Sequence, residues 1–101
     1  MSALITVKMK GDVAKFRQAL RDRAGEFEKV AERGREAGAL HHRFGAGDGY
    51  VLIVDEWEHA EQFQAFFGDP ELQAFVGSVG GDHSAPPEIT VTEAISSPDE
   101  F

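Results

Sequence analysis

The alternation of apolar and polar positions changes period along this chain, most sharply between residues 50 and 79. Tyr50–Val54 is a run of five consecutive apolar residues, which is typical of a strand that is buried on both faces of a sheet. From Ala60 onwards the apolar residues recur at spacings of three and four, the period of a helix. The stretch therefore predicts a central strand, with Asp55–Trp57 where it ends, followed by a helix.

This second-half helix is predicted to be interrupted once. Three phenylalanines between residues 63 and 67 form a first apolar stripe, and a second stripe covers residues 72–79. Between them, Asp69-Pro70-Glu71 combines an acidic N-cap, a proline at the first helical position and a carboxylate in the first turn. The pattern predicts that the helix stops and restarts at this point.

Two weaker patterns precede the central stretch. Leu4–Met9 alternates weakly between apolar and more polar positions and predicts a first strand, which ends at Gly11-Asp12. Residues 13–31 then place apolar side chains on one helical face and charged residues on the other. Since no stop signal occurs before Gly38, the sequence predicts one long amphipathic helix up to that residue.

The remaining segments predict a hairpin and a last strand. Ala39–Phe44 has the pattern of a second strand, and the following Gly45–Gly49 contains Asp48-Gly49, the dipeptide that favours a type I′ turn. Gly80–Pro87 is rich in glycine and proline and predicts a loop. Glu88–Ile95 then predicts a fourth strand.

The predicted order is β-α-β-β-α-β, which indicates an α+β, ferredoxin-like fold. It comprises a four-stranded antiparallel sheet with both helices on one face. Residues 1–95 are expected to form a single domain, and Ser96–Phe101 a flexible C-terminal tail. Because the third strand is apolar on both faces and the helices cover only one, we expect a homodimer that packs sheet face to sheet face.

Composition narrows the function classes. A chain of 101 residues suits one modest core, and the absence of cysteine excludes disulfides, thiolate catalysis and cysteine-based metal sites. A net charge of −8 argues against nucleic acid and anionic membranes as partners. No apolar run approaches the roughly 20 residues of a membrane span, and no signal-peptide layout is present, so a cytoplasmic location is expected.

The hairpin decides which polar side chains meet. With Asp48-Gly49 as the turn, His42 lies opposite Asp55; with Gly47-Asp48 as the turn, it lies opposite Ile53. In both registers the same side chains share one face. They are Leu40, His42, Phe44, Val51, Ile53, Asp55 and Trp57.

If this face is turned towards the helices, it lines an apolar cavity, the usual form of a small-molecule site. His42 held by Asp55 could then act as a general base, and we predict His42, Asp55 and Trp57 as catalytic residues. The alternative is a cross-strand pair that only satisfies two polar groups, with the aromatic residues serving as core. The predicted ligand-binding residues are Phe44, Phe63, Phe66, Phe67 and Phe75.

No metal site is predicted. His41 and His42 are neighbours on a strand, so they point to opposite faces and cannot bind one ion together. His59 and His83 lie in separate segments at no recognisable ligand spacing.

The segment Asp55–Glu61, followed by a helix that is interrupted at Gly68–Leu72, resembles the antibiotic biosynthesis monooxygenase-like family of dimeric α/β-barrel proteins. The resemblance extends over nearly the whole chain. It implies a homodimer in which each subunit has a ligand cavity between sheet and helices. Members of this family include cofactor-free monooxygenases that oxidise polycyclic phenols or quinols with molecular oxygen, and haem-degrading enzymes.

The resemblance transfers to few residues. Trp57 stands where the family has an active-site tryptophan. The haem-degrading members also use an asparagine and a helix histidine, whereas this chain has no asparagine and offers Phe66 and Phe67 instead, which argues against haem degradation. The quinone-forming members use a tyrosine near the tryptophan, but Tyr50 is at the other end of the strand.

The expected function is a monooxygenase that oxidises a small aromatic phenol or quinol without a cofactor. The alternative is a non-catalytic dimeric protein that binds a small molecule in the same cavity.

Overall fold

The computed structural model describes residues 1–101, which form four strands and four helices. The strands are β1 (Ala3–Lys10), β2 (Ala39–Gly47), β3 (Tyr50–Trp57) and β4 (Glu88–Glu93), and the helices are α1 (Val13–Asp22), α2 (Ala24–Ala37), α3 (Ala60–Phe67) and α4 (Pro70–Ser78). The strands pair into one antiparallel sheet with the order β2-β3-β1-β4, and the helices pack on one of its faces. The ferredoxin-like α+β fold predicted from the sequence is confirmed.

The centre of the sheet consists of β1 and β3, as the apolar run at Tyr50–Val54 predicted. Ile5 and Val7 of β1 are fully buried on the helix side. The strand β3 continues beyond Val54 to Trp57, because β1 pairs with it along its whole length and Ala3 lies opposite Trp57. The polar residues that end the apolar run therefore belong to the strand itself.

The hairpin has the predicted register but a different turn type. Gly47 pairs with Tyr50, so the turn is Asp48-Gly49. A type I′ turn needs a positive φ at both central residues. Gly49 has a φ of 76°, but Asp48 does not have a positive φ, since only glycines do in this chain. The type I′ prediction is therefore wrong. The Cβ of Asp48 disfavours the left-handed conformation, and Gly49 alone adopts it.

The prediction of one long first helix is also wrong, because the chain bends at Arg23 between α1 and α2. A straight helix of about 25 residues would measure roughly 37 Å, whereas a strand of about eight residues spans roughly 27 Å. The bend keeps both helices over the sheet, so that α1 buries Phe16 and α2 buries Gly34. Arg23 stabilises it by donating from its guanidinium to Ser78 Oγ at 3.0 Å.

The interruption between α3 and α4 is confirmed. Asp69 is the N-cap of α4, and its carboxylate accepts the backbone N–H of Glu71 at 3.0 Å. His59 is the N-cap of α3, and its backbone N–H donates to the Gln62 side chain at 2.9 Å. None of the four helices has the length and apolar character that crossing a membrane requires.

The last segment consists of the predicted loop and the edge strand β4. In the predicted loop, the hydroxyl and backbone N–H of Ser84 donate to Asp82 Oδ1 at 2.6 and 2.9 Å and hold the pKa of that carboxyl below its ordinary value. β4 ends at Glu93, two residues before the predicted end, because its partner strand begins at Ala3.

The helices cover the sheet incompletely. Ile89 and Val91 of β4 lie on the helix side of the sheet, opposite Val7 and Ile5, and yet each is more than two-fifths exposed. Only 13 of the 101 residues are buried, so the protein has a small core. This core is divided into two groups, one around Trp57 and Phe63 and the other around Phe16 and Val79.

Candidate functional site

A cavity of about 550 Å³ lies between the sheet and the helices and reaches both groups of the core. Its volume falls within the range of about 300–1,000 Å³ that is usual for small-molecule sites. Of its 30 lining residues, 18 are hydrophobic, so the transfer of an apolar ligand from water into the cavity is favourable. The sheet face that lines it is the one predicted from the hairpin, and it includes Leu40, which sits at a β-bulge and is 45% exposed.

The polar feature of this wall is a histidine–aspartate pair. His42 on β2 lies opposite Asp55 on β3, and His42 Nδ1 is 2.7 Å from Asp55 Oδ1. Asp55 is 8% exposed, whereas the side chain of His42 is 39% exposed. An ionised carboxylate can only accept a hydrogen bond, so Nδ1 carries the hydrogen and Nε2 is left as an acceptor.

Trp57 completes this arrangement through a hydrogen bond that the sequence did not predict. Its indole Nε1–H donates to Asp55 Oδ2 at 3.0 Å, while its ring is 1% exposed. Both oxygens of Asp55 are thus occupied, and no buried polar side-chain atom lacks a partner. The structure brings His42, Asp55 and Trp57 together, with Asp55 between the other two.

One end of the cavity is formed by aromatic rings packed against Trp57. Phe63 lies 5.8 Å from the indole in an edge-to-face arrangement, and Phe66 lies 5.5 Å from it. Phe67 stacks on Phe63 at 5.3 Å. These three phenylalanines line the cavity and also belong to the core, so the two interpretations of the aromatic stripe are compatible.

The other end contains four phenylalanines in edge-to-face contact. Phe44 lies 4.6 Å from the ring of His42 and 5.0 Å from Phe16, while Phe27 lies 5.0 Å from Phe75. Phe44 and Phe75 were predicted to line the site; Phe16 and Phe27 were not. Both lie on the apolar face of the first helical region, and the bend at Arg23 brings them within 5.7 Å of each other.

Of the other histidines, His59 and His83 do not line the cavity. His41 borders it but pairs opposite Glu56, on the face of the sheet that the helices do not cover. No group of three or more histidine and carboxylate side chains comes close enough together to hold a metal ion.

Gly34 permits a prediction about the cavity wall. It is buried inside α2 and lines the cavity, and a Cβ on it would meet Phe66 at 3.5 Å and Ala39 at 3.9 Å, which are ordinary contacts. Since glycine in a helix interior is about 1 kcal/mol less favourable than alanine, Gly34→Ala is expected to raise the free energy of unfolding by roughly 0.5–1 kcal/mol. Urea denaturation measures this.

Gly25→Ala is the matched control, because a Cβ there would meet nothing within 4 Å. It reports the gain in helix propensity without any new contact. A Gly34→Ala variant that is less stable than the wild type would contradict the expectation and show that Phe66 cannot accommodate the methyl group.

Comparisons with known proteins place this geometry in a structural context. No family model matches the chain, and no curated protein matches it in sequence. A monooxygenase from the gene ActVA-Orf6 of Streptomyces coelicolor, solved with the ligand nanaomycin D, superposes with a TM-score of 0.68. The match covers 99% of this chain and 93% of that one at 22% identity. This chain has the fold of the antibiotic biosynthesis monooxygenases.

Two further structures share this fold. SnoaB, a cofactor-independent oxygenase from Streptomyces nogalater, is 12% identical, with a TM-score of 0.64 and 98% of both chains covered. A dimeric ferredoxin-like protein from an uncultured marine organism is 14% identical, with a TM-score of 0.60. That match covers 95% of this chain and 93% of the other. The resemblance predicted from Asp55–Glu61 and the interrupted helix is thus confirmed at the level of the fold.

Proposed function

We propose that this protein is a monooxygenase that oxidises a small aromatic phenol or quinol with molecular oxygen and needs no cofactor. The observation that carries the proposal is the pair of His42 and Asp55 at the wall of an aromatic cavity. Two proteins of the same fold are described as a monooxygenase and a cofactor-independent oxygenase, which is consistent with this activity.

In the proposed reaction, the substrate supplies the electrons and the protein supplies a base. Nε2 of His42 accepts the proton of the substrate hydroxyl, and Asp55 stabilises the imidazolium that forms. The phenolate transfers one electron to oxygen, and the two radicals combine to form a carbon–oxygen bond at an unsubstituted ring carbon. His42 returns its proton to the resulting peroxide.

The last steps release water. The ring carbon loses its proton while the oxygen–oxygen bond breaks, which leaves a carbonyl group and a water molecule. In sum, the phenol loses two hydrogen atoms and gains one oxygen atom, and the second oxygen atom leaves as water.

The cavity assists by its apolar character. Phe44 and Phe66 offer ring faces and edges to a flat aromatic substrate, and the exclusion of water strengthens the interaction between the phenolate and protonated His42. The reactive carbon is also shielded from solvent protons.

Oxygen consumption tests the proposal. A panel of phenols with one, two and three rings is expected to include compounds that bind, which is measured by the quenching of Trp57 fluorescence in the absence of oxygen. In the presence of oxygen, the same compounds should consume one oxygen molecule for each quinone formed. Their methyl ethers are the matched controls, because they fill the same space but have no hydroxyl proton to lose. Binding without oxygen consumption by any phenol would contradict the monooxygenase and leave a small-molecule-binding protein.

The proposed assembly is a homodimer formed by the sheet face that the helices leave open. This face carries Leu4, Leu52 and Val54 on the two central strands, where Glu56 lies opposite Leu4 and Lys8 opposite Leu52. Leu4 and Val54 are each 44% exposed in a single chain. A second copy of this face would cover these apolar side chains. One similar structure is described as dimeric.

A further inference from the structure

The two side chains that bind Asp55 differ in the hydrogen bonds that they can form. The indole nitrogen of Trp57 can only donate, and its ring is almost fully buried, so the side chain of residue 55 must present an acceptor to it. His42 can donate or accept at Nδ1, depending on its tautomer. The orientation of the side chain at position 55 is therefore controlled from the Trp57 side, and the tautomer of His42 follows from it.

We infer that Trp57 is a positioning residue: it fixes which side-chain atom of residue 55 faces His42. In the wild type this atom is a carboxylate oxygen, which keeps neutral His42 protonated at Nδ1 and leaves Nε2 free to accept a proton. The catalytic consequence rests on the function proposed above, whereas the effect on the tautomer does not. An indole N–H that is bound to Asp55 at 3.0 Å is not available to a ligand, so this role differs from a direct contact with the substrate.

Asp55→Asn exposes the effect of Trp57. An asparagine side chain has one acceptor oxygen and one donor NH₂ group. Because Trp57 can only donate, it binds the oxygen, and the NH₂ group is turned towards His42. Nδ1 of His42 must then accept, which moves its hydrogen to Nε2. The nitrogen that faces the substrate can no longer act as a base.

Removing the indole donor should reverse this change. In the double variant Asp55→Asn/Trp57→Phe, the asparagine is free to rotate and present its oxygen to His42 Nδ1. Neutral His42 then regains its hydrogen at Nδ1 and its acceptor at Nε2. A second substitution in a damaged site is thus expected to restore function, which a residue that only fills space would not do.

The tautomer is measured directly by ¹⁵N NMR of the histidine rings. The chain has four histidines, and His42→Ala identifies the signals of His42. We expect Nδ1–H in the wild type, Nε2–H in Asp55→Asn and Nδ1–H again in the double variant. In oxygen-uptake assays, the activity of Asp55→Asn is expected to be at least about 100-fold below that of the wild type. The activity of the double variant is expected to be at least about tenfold above that of Asp55→Asn. Asp48→Asn, the same change in the exposed turn, is the control and should behave as the wild type in both measurements.

Hydrogen exchange in the wild type gives a second measurement that does not depend on how the variants fold. Trp57 is the single tryptophan, so its indole proton has a unique signal and should exchange slowly with solvent. A rapidly exchanging indole proton would overturn the inference, as would an Asp55→Asn variant that keeps Nδ1–H or a double variant that keeps Nε2–H. If the tautomers change as expected but the wild type consumes no oxygen, the positioning role stands and the proposed oxygenase does not.

Discussion

His42→Ala is expected to abolish oxygen uptake, with turnover falling about 10²–10⁴-fold, the usual contribution of a general base. The dissociation constant of the same phenol, measured without oxygen, should change only a few-fold. The reason is that Nε2 removes the hydroxyl proton in the proposed reaction, whereas the substitution leaves the other lining residues, seven phenylalanines among them, in place. Steady-state oxygen uptake and anaerobic quenching of Trp57 fluorescence measure the two effects separately.

His83→Ala is the matched control, because it removes the same side chain from an exposed position that does not line the cavity. It should leave both turnover and affinity unchanged. If His42→Ala loses turnover and affinity in equal measure, His42 has a structural or binding role and is not the base. Raising the pH tests the same assignment, since a phenol that is already ionised in solution should depend less on His42.

Val54→Lys is expected to convert the proposed dimer into monomers. Val54 lies on the open sheet face near the middle of β3, with Thr6 and Arg43 opposite it, and a single chain leaves it 44% exposed. In a dimer with two-fold symmetry, the change buries two ammonium groups that have no carboxylate directly opposite them, at roughly 2 kcal/mol each. The dissociation constant should therefore rise on the order of a thousandfold. Sedimentation equilibrium over a range of protein concentrations measures it.

Ala14→Lys, on the exposed side of α1, is the control for the added charge and should leave the dimer intact. Urea denaturation of the Val54→Lys monomer shows whether the chain itself remains folded. A Val54→Lys protein that stays dimeric with the wild-type affinity would exclude this face as the interface, while a monomeric wild type would contradict the proposed dimer.

Much of the fold could be predicted because its signals are local. The five-residue apolar run identified the central strand, and Asp69-Pro70-Glu71 marked the break between α3 and α4. The glycine-rich hairpin predicted the face that His42 and Asp55 share, with Asp48-Gly49 as one of two possible turns. Each of these signals lies within a few residues of the feature that it specifies. Period and capping are therefore sufficient to predict them.

Other features depend on which segments meet in space. The apolar spacing of three and four continues through Arg23, so the sequence did not predict the bend, which keeps both helices over the sheet. The positive φ at Gly49 alone, rather than at both turn residues, was also not predicted. Phe16 and Phe27 become cavity walls because the bend turns them towards Phe44 and Phe75.

The sequence by itself determined the order of the strands and the side of the sheet on which His42, Asp55 and Trp57 lie, because a strand alternates its side chains with a period of two. It left two hairpin registers open, and the structure shows the one that places His42 opposite Asp55. Only the tertiary structure decided that the core is divided by a cavity and that Trp57 donates to Asp55. Sharing a face brings two side chains near each other, whereas a hydrogen bond also requires the rotamers that packing against Phe63 and Phe66 imposes on the indole.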